Sequence, residues 1–280
     1  MNILRIAVKG LPLYKKPLDI SFYAVQNVHN SHLNSVHKLF GNIYINSVEA
    51  FAGINASGKT TVLNVLTFTS LLLGAEHLNA ENIPLYLETD TATVFDVDFF
   101  ADGKIYHLCS ELIKYKKQDG SSNIRIVSER LWAKPANSKV NKANLLDFEG
   151  LGPIRIRDNS DEYLPDDVSI MIAVNKQIQD DTMFVNRAMF TDFNLFIPNG
   201  GSVPTEVITL LDPTIEYINV QTVKDKFVTK LKFYGQEELI LFHPSELYAY
   251  LSSGTIKGVR VFSDAINVLK RGGYLILDEI

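Results

Sequence analysis

Gly53-Ile54-Asn55-Ala56-Ser57-Gly58-Lys59-Thr60 decides the reading of this chain, because it fits the phosphate-loop pattern GxxxxGK[ST]. The chemistry needs each residue type at its place. Glycines let consecutive backbone N–H groups converge on a β-phosphate, the Lys59 ammonium reaches β and γ oxygens, and the Thr60 hydroxyl suits Mg²⁺. Asn55, Ala56, Ser57 and Gly58 supply the body of the loop, and the Thr61 hydroxyl is a candidate for the α-phosphate. The flanks agree. Ser47-Val48-Glu49-Ala50-Phe51-Ala52 reads as an entering strand, and Val62, Leu63, Leu66, Ser70 and Leu73 recur at helical spacing, so a helix N-terminus faces the phosphates. A chance match in a chain this long is expected on the order of once in a hundred, and the strand-loop-helix setting lowers that further.

Composition bounds what else the chain does. With 280 residues and 46% hydrophobic side chains it can bury a sizeable core, as one large or two small domains. A net charge of −5 gives no basic footprint for nucleic acid over the whole surface, so any such contact must be local. The densest basic cluster, Lys114-Tyr115-Lys116-Lys117, precedes Gln118-Asp119-Gly120-Ser121-Ser122 and reads as a strand end entering a hairpin turn. The single cysteine, Cys109, lies in an alternating stretch and reads as a buried strand thiol rather than a nucleophile. A reducing cytoplasm fits. No stretch approaches the roughly 18 apolar residues of a membrane span, and the N-terminus lacks a signal-peptide pattern, so no membrane contact is expected.

Residues 3 to 9 and 18 to 25 alternate apolar and polar side chains and read as strands joined by a turn. From 93 to 132 the alternation predicts an antiparallel meander, with a turn at Asp102-Gly103 and another around 117 to 123. Asp96 and Asp98 share one face of a strand there and read as the polar side of a half-exposed sheet rather than a metal pair. Trp132 ends that stretch as a core residue. Residues 133 to 165 suggest a long irregular connection, and 166 to 197 together with Thr205 to Leu211 look mainly helical.

Near the C-terminus, Leu251-Ser252-Ser253-Gly254-Thr255 precedes a helix pattern with Ile256, Val259, Phe262, Ile266 and Leu269 on one face, and Gly272 supplies the C-terminal stop. Ser252 and Ser253 are good N-cap residues. Tyr274-Leu275-Ile276-Leu277-Asp278-Glu279 follows at once, an apolar strand ending in two carboxylates that resembles a Walker B element. In that role Asp278 holds Mg²⁺ and Glu279 polarises the attacking water.

Taken in order along the chain, Gly-x-Asn-x-Ser-Gly-Lys-Thr at 53 to 60, Ser-Ser-Gly-Thr at 252 to 255 and Leu-Ile-Leu-Asp-Glu at 275 to 279 resemble the ABC-like ATPase heads of the SMC and OLD type. The resemblance is nearest to the stand-alone AAA-type ATPases of abortive infection and anti-phage defence. It implies an α/β phosphate-loop fold of the ABC head type with an antiparallel β layer and a helical lobe. The expected organisation is one domain over 1–280: 1–132 and 236–280 form the nucleotide-binding core with its β layer, and 133–235 the irregular and helical lobe. It also implies ATP and Mg²⁺ as cofactors, hydrolysis by Lys59 and Glu279, and Mg²⁺ on Thr60 and Asp278. Two copies would sandwich ATP, with Ser252, Ser253 and Gly254 acting on the partner's nucleotide, and an effector protein, a toxin or a nuclease, would be a further partner.

The chain departs from the family pattern after Glu279. The family continues with a loop that contacts the partner's site and a strand ending in a switch histidine, and the histidines here all precede Glu279. No glutamine is assigned to the metal-and-water contact; Gln118 falls in a turn, and Gln177 and Gln179 in the helical region. Slow hydrolysis is therefore expected. The rival readings are a nucleotide-gated regulatory scaffold, a small-molecule kinase, which would not need the Ser-Ser-Gly-Thr element, and a GTPase. The last rests on Ser169 to Lys176, read as a strand ending in Asn175-Lys176, and on Asp147-Phe148-Glu149-Gly150; Ile178 stands where guanine selectivity needs a carboxylate.

Overall fold

The computed structural model describes residues 1–12, 14–79, 85, 87–158, 164–178, 185–188, 201–223 and 226–278. The chain is a mixed α/β protein, mostly antiparallel in its sheets, and divides into two compact units, Met1–Met183 and Phe184–Ile280. Among the described residues no helix is long and apolar enough to cross a membrane.

In the first unit, β1 (Asn2–Lys9) and β2 (Leu18–Ser21) form the expected hairpin, β3 (Val36–Phe40) and β4 (Ile43–Asn46) form a small ribbon, and α1 (Lys59–Gly74) follows the glycine-bearing segment 53–58. The meander is β5 (Ala92–Ala101), β6 (Lys104–Lys116) and β7 (Ser122–Pro135), with β8 (Arg155–Arg157) at its edge and the one-turn helix α2 (Met171–Asn175) beyond. The six-stranded sheet has the order β2-β1-β5-β6-β7-β8 and is antiparallel throughout. Ile6, Val97, Leu108 and Leu131 form one fully buried row across it. Alternation made these strands predictable, since the inward set Phe95, Val97 and Phe99 has no exposed surface at all. Helix α1 is buried on most of its circumference, so it reads as a core helix rather than an amphipathic one. Its Phe68 ring meets Phe95 with centroids 5.1 Å apart.

The opposite face of the sheet is not the half-exposed polar surface expected for Asp96 and Asp98. Phe40 stacks on Phe100, and Ile43 and Leu145 close over Leu4 and Ile105. The connection after β7 is irregular yet firmly built, with Leu145 fully buried and the Lys134 ammonium donating to the carbonyls of Asn144 and Asp147 at 2.7 and 2.6 Å. Beneath that loop Asp98 is 1% exposed and accepts from His107 Nδ1 at 2.8 Å, and the His107 ring lies between Trp132 and Phe148. Trp132 is half-buried inside β7 rather than at a strand end in the core. Arg5 joins Asp19 through both carboxylate oxygens and comes within 3.9 Å of Asp98. The Lys9 ammonium lies 3.3 Å from Asp96, so the Asp96 and Asp98 carboxylates both have polar partners on neighbouring strands. Burial, aided by Asp96, pushes the Cys109 thiol up to about 12, so at neutral pH it carries no thiolate.

Glu129 is the least expected core residue. It has no exposed surface and stands in the apolar face beside Ser110, its cross-strand partner. The carboxylate accepts from Ser110 Oγ, Ser169 Oγ and the Ile170 N–H, each at 2.8 Å. It therefore ties the meander to the segment that starts α2. Burial holds this carboxyl above its ordinary value, against the three hydrogen bonds and Arg157, which pull it down.

In the second unit, β9 (Val185–Ala188) and β10 (Gly201–Ser202) precede α3 (Thr205–Leu211), then β11 (Ile215–Val223), β12 (Lys226–Phe233), β13 (Leu239–Leu241), α4 (Ser253–Arg271) and β14 (Tyr274–Leu277). Strands β10 to β13 make an antiparallel sheet in chain order, and β14 pairs in parallel with β9. The expectation of helix over 166 to 197 is corrected: the described part holds five residues of helix and the strand β9, while 179–184 and 189–197 lie outside the described residues. The region read as a helical lobe likewise contains the long hairpin β11–β12. The core of the second unit is Ile208, Ile218, Leu231, Leu247, Leu251, Ile256 and Val259 with their neighbours.

Replacing Glu129 by Ala leaves three buried donors without an acceptor and should cost on the order of 3 kcal/mol in a urea melt. Glu129→Gln keeps the shape and tests the sign of the pH effect. Because the folded carboxyl binds its proton more tightly than the unfolded one, its contribution is full below the ordinary value of 4.5 and is lost as pH rises through the folded value. The stability of wild type relative to Glu129→Gln should therefore fall with rising pH; a constant or rising difference contradicts the assignment.

Candidate phosphate loop and signature turn

The loop does not leave a paired strand as the motif leads one to expect. Strand β4 ends at Asn46, residues 47–53 belong to no strand, and Val48 is 82% exposed. A buried parallel strand needs ladder partners on its flanks, and no described strand pairs with this segment. The loop itself is formed. Ser57 N–H donates to the Ile54 carbonyl at 3.2 Å, closing a turn, and Ala56 and Gly58 have φ of +62° and +89°. Positive φ at alternate positions curls the chain so that its amides can face one concavity, the geometry of an anion nest. For Gly58 that conformation costs nothing; a side chain there would also place Cβ 2.5 Å from Tyr14 Oη.

Helix α1 begins at once with Lys59, Thr60 and Thr61 in its first turn, and no acidic residue stands in that turn to oppose an anion. The Lys59 ammonium folds back and donates to the carbonyls of Gly53 at 2.9 Å and Ile54 at 3.0 Å. Asn55, Ala56 and Ser57 are exposed and Gly58 is half-buried. Gly53, Asn55, Ala56, Ser57 and Gly58 thus lie in a bent segment that runs straight into the first turn of α1, which carries Lys59, Thr60 and Thr61. One residue that the sequence did not single out joins them: Tyr14, on the β1–β2 connection, donates from its hydroxyl to the Gly58 carbonyl at 3.0 Å. No local pattern announces this contact, because the partners are 44 positions apart.

The remaining candidates lie in the second unit. Leu247 and Leu251 are buried, and Leu251 N–H donates to the Leu247 carbonyl at 2.8 Å, which fixes the chain just before Ser252. Ser252 is the N-cap of α4, its Oγ accepting from the Thr255 N–H at 3.0 Å. Ser253 and Gly254 follow in the exposed first turn. A Cβ built on Gly254 would meet nothing nearer than Ser252 Oγ at 3.7 Å, so this chain's own packing does not require glycine there. The face expected to be buried on α4 is only half right: Ile256 and Val259 are buried, but Phe262 and Leu269 are 40% and 82% exposed, and Asp264 and Val268 continue the buried stripe. Asp264 is held by Arg260 at 2.6 Å. The helix stops at Gly272, and β14 delivers Asp278 immediately after Leu277. Glu279 lies outside the described residues.

The GTPase reading loses its structural premise. Residues 171 to 175 are helix, not strand, and Asn175 donates from Nδ2 to the Leu73 carbonyl at 2.8 Å. Asp147, the first residue of the other rival element, lies in the irregular connection and offers its carbonyl to Lys134.

No protein-family model matches this chain, and no curated protein matches it either.

Two substitutions test this local geometry by denaturant melts. Gly58→Ala forces a side chain into a left-handed conformation and should cost about 1–2 kcal/mol. Ser252→Ala removes the cap of α4 and should cost about 1 kcal/mol. A variant as stable as wild type would contradict the geometry at its position.

Proposed function

We propose that this chain is an ATP-binding, ABC-like switch: Mg-ATP sits on residues 53–61, and Ser252, Ser253 and Gly254 of a second copy close over its γ-phosphate. The observation that carries the reading is the Lys59 ammonium, which the Gly53 and Ile54 carbonyls hold at the loop, directly before the N-terminus of α1. A cation, curled amides and a helix dipole at one turn favour a polyphosphate. Support for the second element comes from Gly254. Glycine in a helix costs about 1 kcal/mol relative to alanine, and close approach of an external group gives it a reason that the chain itself does not. The strand β14, which follows α4 directly and is itself followed at once by Asp278, supports the Walker B assignment.

The donor chemistry fits Mg²⁺. Thr60 and Asp278 offer hard oxygen atoms of the kind that Mg²⁺ takes together with substrate phosphates. When bound, Mg²⁺ would neutralise charge on the β- and γ-phosphates. The chain's own groups would do the rest: Lys59 binds the same phosphates, Thr61 the α-phosphate, and Glu279 polarises the attacking water. Closure of two copies would depend on the γ-phosphate, so hydrolysis would release them. A role in anti-phage defence, with a toxin or nuclease as effector, rests on the family resemblance alone.

Removing one charge-assisted contact costs about ten- to a hundred-fold in affinity. Lys59→Ala should weaken Mg-ATP binding by that much in equilibrium dialysis, and binding equal to wild type would contradict the site. Glu279→Gln should accumulate an ATP-dependent dimer on size-exclusion chromatography. A monomer in ATP would contradict the switching mechanism but not the nucleotide site.

A further inference from the structure

We propose that Tyr14 is a positioning residue of the phosphate loop, its hydroxyl bond to the Gly58 carbonyl fixing the direction of the Lys59 N–H toward a bound polyphosphate. The inference rests on the nucleotide site proposed above and extends it to a residue outside the motif. The Gly58 carbonyl accepts twice, from Tyr14 Oη at 3.0 Å and from the Val62 N–H, the first backbone bond of α1, also at 3.0 Å. The Gly58 carbonyl and the Lys59 N–H belong to one planar trans peptide unit, in which they point in opposite directions. Anchoring the oxygen therefore sets the nitrogen. Without Tyr14 that plane would be held from the helix side alone, next to a glycine at φ +89° whose own torsions are soft.

Tyr14 is itself anchored to the sheet. Its N–H donates to the Leu11 carbonyl at 3.0 Å, Leu11 is 4% exposed, and Thr93 Oγ1 on β5 donates to the Gly10 carbonyl at 3.4 Å. The antiparallel sheet thus reaches the loop through one side chain. Substituting Gly58 would destroy the same contact from the other partner, because a Cβ would fall 2.5 Å from Tyr14 Oη.

The test uses the full chain with Mg-ATP and with Mg-tripolyphosphate, which has the phosphates but no base. Tyr14→Phe keeps the ring and removes the hydroxyl; loss of a neutral hydrogen bond predicts about a three- to ten-fold weaker affinity, equal for the two ligands. Amide exchange at 57–60 should quicken while later turns of α1 keep their protection, a local signature that a general loss of stability would not produce. Tyr14→Ala should be no less defective. Unchanged affinity in both Tyr14 variants, or loss for Mg-ATP with Mg-tripolyphosphate unaffected, overturns the inference, the latter because it places the tyrosine on the base. Lys59→Ala separates the failures: if it loses both ligands while Tyr14→Phe keeps them, the nucleotide site stands and the role of Tyr14 falls. If wild type binds neither ligand, the site falls and the inference with it.

Discussion

The lysine ammonium that bridges back to the carbonyls of Gly53 and Ile54 constrains everything proposed for the first unit. It closes a ring of seven residues in which a turn at 54–57 and positive φ at 56 and 58 set the path of the backbone. A loop without regular ladder bonds must satisfy its polar groups in this way or leave them to water. The same closure keeps a positive charge where a helix begins, and the proposed nucleotide site relies on the two together. The buried run from Val62 to Leu73 then holds the helix in place, so the loop is presented by a rigid element.

The six-stranded sheet stands behind that loop as more than a wall. Its apolar face receives α1 through Phe68 and Phe95, and the same face buries Glu129, whose three donors tie in the start of α2. The second unit repeats the logic with a different device. Leu247 and Leu251 sink into its core, and Ser252 caps the helix that follows, so the first turn of α4 is exposed but not loose.

What the sequence disclosed was what neighbours in the chain decide. The meander was legible because Phe95, Val97 and Phe99 alternate with polar residues, and α1 because a motif fixes its start and apolar residues fill its length. The Ser252 cap was legible for the same reason. Pairing over long distance was not. Strand β9 has four residues and, among the described residues, pairs with β14, about 90 positions on, and β11 carries an irregularity between Ile215 and Tyr217 that breaks its alternation. The burial of Glu129 was not legible either, because it depends on Ser110, Ser169 and Ile170 from elsewhere in the chain. Residues 47–52 have strand composition but no described ladder partner, and composition alone does not make a strand. Within the candidate site, the start of α1 after Gly58 and the Ser252 cap could be read, whereas the contact of Tyr14 with Gly58 is a product of the fold.

The most direct measurement of the central claim is an NMR titration of the ¹⁵N-labelled full chain with Mg²⁺ and a non-hydrolysable ATP analogue. The account predicts that the backbone amides of Ala56, Ser57, Gly58, Lys59 and Thr60 shift first and furthest, in a saturable manner. Saturable binding that leaves those five amides unmoved, or no binding at all, would contradict it.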